Sequence, residues 1–353
     1  MTDSFPKNDR KKILLMGGSL NQTTMIHCVG KVLERDYECF YSPYYDDGWT
    51  QWAADRGWID FCILGGVFRS NTFEYLKDHR LPIDYKAQKH RYDLMVTCTD
   101  MCIPKNQKTQ PLVQVQEGMT DPPNFLTPFV KWFDLPCWVA STSATGFSDA
   151  YDAFCVASEG YREFFIEKGL KAEKLHVTGI PNYDHCEAYR NNDFPHHGFV
   201  LVATSDCRET FKYENRKKTI LDAVKIANGK QLIFKLHPNE KKQRAIQEIK
   251  THAPNALVYT DGNIHEMIAN CDILITKWST VTYVGLALGK KVYSEFDLEE
   301  LKKKMPQQNG GQSAENIANV CKQFLEPQPA VAASDQTSFF PTTQKKLTPT
   351  PEL

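Results

Sequence analysis

Between residues 199 and 294 the chain alternates short apolar runs with amphipathic stretches, and polar or turn-forming residues mark most of the changes. Phe199–Ala203, Gln231–Leu236, Leu257–Thr260, Ile273–Thr276 and Lys291–Ser294 predict strands. Asn215–Ala227, Lys241–Thr251, His265–Asn270 and Ser279–Leu288 predict helices, with stops at Asn228-Gly229 and Gly289. Strands that are apolar almost throughout are covered on both faces. A helix between consecutive strands is what a parallel connection needs. This pattern excludes a helical bundle or a β-sandwich and predicts a doubly wound α/β unit.

The first half repeats the theme. Lys11–Met16 runs into Gly17-Gly18-Ser19, and a helical pattern follows over Gln22–Leu33 with Met25, Ile26, Val29, Val32 and Leu33 on one face. Strand, glycine turn, helix is how such a sheet begins. The glycines suit an anion approaching the backbone, or a plain tight turn. Further strands are expected at Tyr37–Tyr41, Phe61–Leu64, Leu94–Thr97, Leu112–Gln116, Cys137–Ala140, Phe154–Ala157 and Leu175–Gly179, with a helix at Gly160–Lys168. The polar stretch Glu187–Gly198 marks a boundary. The expected organisation is one Rossmann-like domain over 1–186 and a second over 199–325. A tail rich in Pro, Ala, Ser, Thr and Gln over 326–353 is expected to be disordered. The helix at Ser313–Phe324 has the option of crossing back onto the first domain.

Composition narrows the partners. A net charge of −1 from 42 basic and 43 acidic residues points away from nucleic acid. No apolar run reaches the roughly 20 residues of a membrane helix, and Met1–Lys12 has no apolar leader core, so a cytoplasmic location is expected. The 11 cysteines are odd in number and scattered, as reduced, mostly buried thiols would be. Cys98-x-x-x-Cys102 is the one close pair, and without a second pair at metal spacing no zinc site is expected.

Ligands of open α/β sheets bind beyond the carboxyl ends of the strands. In the second half those ends carry Thr204-Ser205-Asp206, Lys235 with His237, and Lys277-Trp278-Ser279-Thr280. Lys235 and His237 offer charge and a hydrogen bond to a diphosphate. Ser279 and Thr280 stand where a helix cap and a phosphate site coincide. In the first half they carry Gly18-Ser19, Asp100, and Glu117 with Asp121. Asp100 and Glu117 are candidate acid/base groups, whereas Asp121-Pro122 reads as a turn. The aromatic segments Tyr37–Tyr45 and Trp49–Trp58 read first as core and second as an acceptor surface.

Several of these segments resemble known enzymes. Thr178-Gly179-Ile180-Pro181-Asn182-Tyr183-Asp184 resembles the Gly-x-Pro-x-x-Asp junction of CDP-glycerol glycerophosphotransferases. Lys235-Leu236-His237-Pro238 resembles their Lys-x-His-Pro strand end, and Cys271–Thr276 followed by Ser279 resembles their Ala-Asp-x-x-Ile-Thr-Asp-x-Ser segment, with Lys277 in place of the Asp. Asp100 and Val115-Gln116-Glu117-Gly118 look like the strand-end Asp and Val-Glu-Ala-Gly of non-hydrolysing UDP-N-acetylglucosamine 2-epimerases, whose Ser-Gly-Gly turn is Trp278-Ser279-Thr280 here. Both families share the GT-B fold, in which two Rossmann-like domains face each other across a cleft.

That resemblance implies a metal-independent, cofactor-free transferase moving a sugar or polyol phosphate from a nucleotide-activated donor to a hydroxyl acceptor, in surface glycan or glycolipid synthesis. The second domain would hold the donor through Thr204, Lys235, His237, Lys277, Ser279 and Thr280, with Gly18 and Ser19 facing it. The first would hold a glycan or lipid-linked acceptor, with Glu117 or Asp100 as base and His237 meeting charge on the leaving group. A lipid-linked acceptor would bring peripheral membrane association. The alternatives are an isomerase like the epimerases and a non-catalytic sugar-nucleotide binding protein.

Overall fold

The computed structural model describes residues 10–60, 62–100, 103–119, 145–209 and 213–326. Strands β1 (Lys12–Gly17), β2 (Glu38–Pro43), β3 (Leu94–Thr97), β4 (Leu112–Val115), β5 (Ala153–Val156) and β6 (Leu175–Val177) form one sheet in the order β2-β1-β3-β4-β5-β6. Strands β7 (Val200–Ala203), β8 (Leu232–Lys235), β9 (Leu257–Tyr259), β10 (Ile273–Ile275) and β11 (Lys291–Tyr293) form a second in the order β11-β10-β7-β8-β9. Every pairing is parallel. In both sheets the order reverses beside the first strand, the place where ligand crevices open.

Several helices begin at side-chain caps. α1 (Leu20–Leu33) is capped by the Ser19 side chain, which accepts from Gln22 N. α2 (Gly48–Asp55) and α3 (Gly66–Asp78) follow β2. α4 (Glu159–Glu167) is capped by Ser158. In the second lobe α5 (Arg216–Ala227) begins at the Asn215 cap and stops at Asn228 in a left-handed conformation. Then come α6 (Lys242–His252), α7 (Ile264–Asn270), α8 (Val281–Ala287) and α9 (Leu298–Lys303). The last helix, α10 (Ser313–Leu325), does cross back. It packs on α1, with Lys322 paired to Asp36 at 2.7 Å and the Lys11 ammonium on the Leu325 carbonyl.

Residue-by-residue alternation explains how the second sheet is covered. On β7, Leu201 and Ala203 face a core that continues into the first lobe, while Val200 and Val202 face a separate core with Ile220, Phe234 and Ile249. One apolar body therefore runs from the first sheet through the lobe junction to the near face of the second. Within it the hydroxyls of Tyr161 and Tyr283 meet at 2.7 Å. Gly160 on α4 faces the Lys303 carbonyl at the end of α9 so closely that a Cβ would lie 2.0 Å from that oxygen. Backbone stands on both sides, so neither can yield cheaply. Gly160→Ala is expected to cost about 1–3 kcal/mol of overpacking, measurable by denaturant unfolding.

One sequence expectation is overturned. Phe61–Leu64 is not a strand: Cys62 N donates to Ile59 O and Gly65 N to Cys62 O, both at 3.2 Å, which makes a turn over the described part, Cys62–Leu64. The cause is the Gly65-Gly66 pair. Gly66 has φ +53, and a Cβ there would lie 2.5 Å from the Asp60 carbonyl, so the chain folds back on itself. The apolar character of Leu64 marks burial, at 1% exposure, not strand. The expected strand at Cys137–Ala140, the Asp121-Pro122 turn and the tail from 327 onward lie outside the described residues. Burial pushes the Cys39 and Cys155 thiols up to about 12, as inert core thiols require.

Candidate functional site

At the carboxyl edge of the first sheet, β1 and β4 flank β3. That order brings the start of α1 against the residues following β4. Glu117 there accepts from three side chains: Ser19 Oγ at 3.2 Å, Asn21 Nδ2 at 3.1 Å and Gln22 Nε2 at 2.6 Å. Gly18 N donates to Gln22 Oε1 at 2.8 Å, fixing the amide so that its NH2 faces the carboxylate. Asn182 Nδ2 in turn donates to Asn21 Oδ1 at 2.6 Å. Sequence reading missed Asn21, Gln22 and Asn182. A visible signal was the amide pair Asn21-Gln22 opening an otherwise apolar-faced helix, with Gln22 only 4% exposed.

Asp100 has a different environment. Its two carboxylate oxygens accept from Gly146 N and Ser148 N, each at 2.8 Å, and the residue is buried. Its charge is committed to holding the 146–148 turn. Glu117 is then the carboxylate of the expected pair that stands at the lobe junction.

In the second sheet β7 lies between β10 and β8. The ends of β8 and β10 are thus two strand spacings, about 10 Å, apart on one edge. His237 follows β8, and its backbone N–H donates to Thr204 Oγ1 and Glu240 Oε2, both at 3.0 Å. Its Nδ1 accepts from Asn239 N at 3.3 Å, which leaves Nε2 to carry the proton outward. Asp206 lies 3.7 Å from Nδ1. Lys235 Nζ donates to the carbonyls of Leu236 (3.1 Å) and Thr260 (3.4 Å), leaving one of its three donors, and burial lowers its pKa. Thr204 is engaged internally: its hydroxyl meets Glu240, whose other oxygen is paired with Arg216. It supports His237 from below.

The loop after β10 departs from expectation. Neither the Ser279 nor the Thr280 side chain caps α8: Thr280 occupies the cap position, in αR geometry, with no side-chain cap bond. The reason is tertiary. Tyr183 OH donates to Thr280 Oγ1 at 3.0 Å, which turns that hydroxyl toward the junction, and the Ser279 carbonyl takes the Thr282 N–H and hydroxyl. Lys277 and Ser279 are half-buried, and the Lys277 carbonyl accepts from Ser294 Oγ at 2.8 Å.

The two edges meet. A Cβ on Gly118 would lie 2.9 Å from Thr280 Cγ2. The residue after Glu117 therefore touches the loop after β10, and the carboxylate of one lobe and the hydroxyl of the other stand on a shared junction walled by Tyr183. Behind it His265 is packed against Tyr189 (4.6 Å between centroids) and Tyr183 (6.4 Å), and burial pushes its pKa down to about 4 from 6.5. The sign follows directly. Above about 6.5 His265 is neutral folded or unfolded and contributes no pH dependence. Between 6.5 and 4 only the unfolded chain takes up the proton, so stability falls as pH falls. Urea melts across that range are expected to show this slope, and His265→Gln should make it shallower.

No protein-family model matches the chain, and no curated protein matches it. Solved structures do. The UDP-GlcNAc 2-epimerase of Neisseria meningitidis bound to UDP-GlcNAc aligns with 88% of this chain and 100% of its own, at TM-score 0.56 and 12% identity. S. aureus MnaA in a co-structure with UDP aligns with 90% of this chain and 88% of its own, at TM-score 0.56 and 12% identity. The wall teichoic acid polymerase TagF aligns with 89% of this chain and 80% of its own, at TM-score 0.44 and 10% identity. The fold is thus the two-lobed α/β architecture of the GT-B type. Within that class this chain is similar in backbone to UDP-GlcNAc 2-epimerases.

Proposed function

We propose that this protein is a GT-B transferase that uses a nucleotide-activated sugar or polyol as donor and a hydroxyl as acceptor. The observation that carries this reading is the inequality of the two carboxylates. Glu117 stands at the lobe junction with hydrogen-bond partners that orient it, while both oxygens of Asp100 are held by backbone N–H groups. Moving a proton between the two faces of a sugar carbon calls for two available acid/base groups. Removing a proton from an acceptor hydroxyl calls for one. Among the described residues the arrangement favours transfer over isomerisation.

In this reading Glu117 takes the hydroxyl proton as the acceptor oxygen bonds to the anomeric carbon of a sugar donor; with a polyol donor the oxygen bonds to the outer phosphorus and the nucleoside monophosphate leaves. With the sugar donor the bond from the anomeric carbon to the diphosphate oxygen breaks, and the nucleoside diphosphate leaves. Nε2–H of His237 and the remaining donor of Lys235 meet the charge that builds on it, with Ser279, Thr280 and Lys277 lining the opposite strand end. The nucleotides held by the structures of this fold, UDP-GlcNAc and UDP, support a nucleotide donor. A glycan or lipid-linked acceptor on the first lobe, in cytoplasmic synthesis of a surface glycan or glycolipid, completes the reading.

Thermal shift with UDP, CDP, GDP and CMP tests it, because a ligand that binds the folded state raises the melting temperature. At least one nucleoside diphosphate is expected to raise it at millimolar concentration, and no shift with any of them would remove the donor assignment. Incubation with UDP-GlcNAc alone is expected to leave the sugar unepimerised. An epimer would replace transfer by isomerisation.

A further inference from the structure

The segment after β2 carries an aromatic surface that the reaction scheme leaves unused. Trp49 is 63%, Trp52 40% and Trp58 62% exposed, a concentration of bare indole within ten residues that soluble chains rarely tolerate without a use. Trp49 and Trp52 lie one turn apart on α2, whose opposite face buries Thr50, Gln51, Ala53 and Ala54. Trp52 is held in place: the Arg56 guanidinium lies 3.8 Å over one face, and Trp58 meets its edge at 5.0 Å between centroids. Most of the surface of Trp49 and Trp58 remains exposed.

The segment that carries this surface begins and ends beside the candidate site. Tyr44 N, just beyond β2, donates to Gly17 O at 2.9 Å, and a Cβ on Gly18 would lie 2.7 Å from Ile63 Cβ. The loop that carries the tryptophans therefore abuts the Gly18-Ser19 turn whose hydroxyl bonds Glu117.

Charge selects among occupants. Residues 46–69 contain four aspartates and two arginines, and Asp55 is already paired with Arg69 and Lys86 at 3.0 Å. There is no basic surplus for anionic lipid headgroups or a phosphate polymer. Indole faces accept the C–H faces of pyranose rings, and nearby carboxylates accept hydroxyl hydrogens. We propose that the Trp49–Trp52–Trp58 surface binds a neutral carbohydrate chain and lays its hydroxyl end toward Glu117. This rests on the transferase reading for its orientation and on the exposed indoles for its ligand class.

Tryptophan fluorescence and calorimetry with uncharged gluco-, manno-, galacto- and N-acetylglucosamine oligosaccharides test it. At least one is expected to bind at millimolar concentration or tighter. Trp49→Ala with Trp58→Ala should weaken that affinity about tenfold or more, and the tyrosine variants should keep part of it. These side chains are exposed, so unchanged urea melts are expected to confirm folding. Nucleotide thermal shift, run in parallel, separates the two readings: glycan binding without nucleotide binding leaves this surface standing and removes the donor assignment. Three results would overturn the proposal: no oligosaccharide binding, binding unaffected by the alanine pair, or, in place of glycan binding, tryptophan-dependent partition onto phosphatidylcholine vesicles or self-association.

Discussion

Glu117→Gln is expected to lower turnover by about 10²–10⁴-fold while nucleotide binding is retained. Glutamine keeps the shape and its carbonyl still accepts from Ser19 and Asn21, but its NH2 then faces the Gln22 amide donor and it takes no proton. Glu117→Ala should lose the same activity and also release Asn21 and Gln22, whose amides are oriented by the carboxylate at 3.1 and 2.6 Å. The measurement is a pair: turnover with donor and acceptor, and nucleotide affinity by calorimetry. If Glu117→Gln turns over at the parent rate, the base lies elsewhere. If nucleotide binding persists in a protein that turns over no donor at all, the chain is a sugar-nucleotide binding protein.

Arg216→Met is expected to destabilise the protein by about 3–5 kcal/mol, because it leaves buried carboxylates without their cation. The Arg216 side chain is 3% exposed and pairs with Glu214 (2% exposed) at 3.0 Å and with Glu240 (0% exposed). Arg208 extends the cluster to Glu248 with two contacts of 2.9 Å. The loss corresponds to a melting temperature lower by roughly 5 °C. Replacing Arg216 and Glu240 together by methionine should cost less than Arg216→Met alone, since only Glu214, still 3.9 Å from Arg208, is then left of the two buried carboxylates. Denaturant unfolding reads both. The consequence reaches function as well: Glu240 accepts from His237 N at 3.0 Å and holds Thr204, so a disturbed cluster should also weaken nucleotide affinity. A loss below about 1 kcal/mol for Arg216→Met would show that the charges are better solvated than their burial implies.

Much of the candidate site was legible because the rule that names it is topological. Strand ends of a parallel sheet carry the ligand groups, and the strand ends at 97, 115, 203, 235 and 275 can be read from apolar runs and the polar residues that follow them. What those residues do at the ends was less legible. Asp100 and Glu117 look alike in sequence, yet one is absorbed by two backbone N–H groups and the other by three side chains. Thr280 has the composition of a helix cap but is taken by Tyr183, 97 positions earlier. Asn182 reaches Asn21 across 161 positions. The apolar run at Cys62–Leu64 shows the same limit on a smaller scale: a short buried run is compatible with strand or turn, and the glycines beside it decide.

The α/β class and most element types of the second lobe follow from local pattern, because a helix or a buried strand is written in the spacing of nearby apolar residues and in the glycine, asparagine or serine at its ends. Only the tertiary structure decided which carboxylate faces the junction, which hydroxyl is diverted from its cap, and which tryptophans stay bare. Those outcomes depend on strand order and lobe contact, which join residues from about 50 to more than 150 positions apart, and a local pattern holds no information about a partner at that distance.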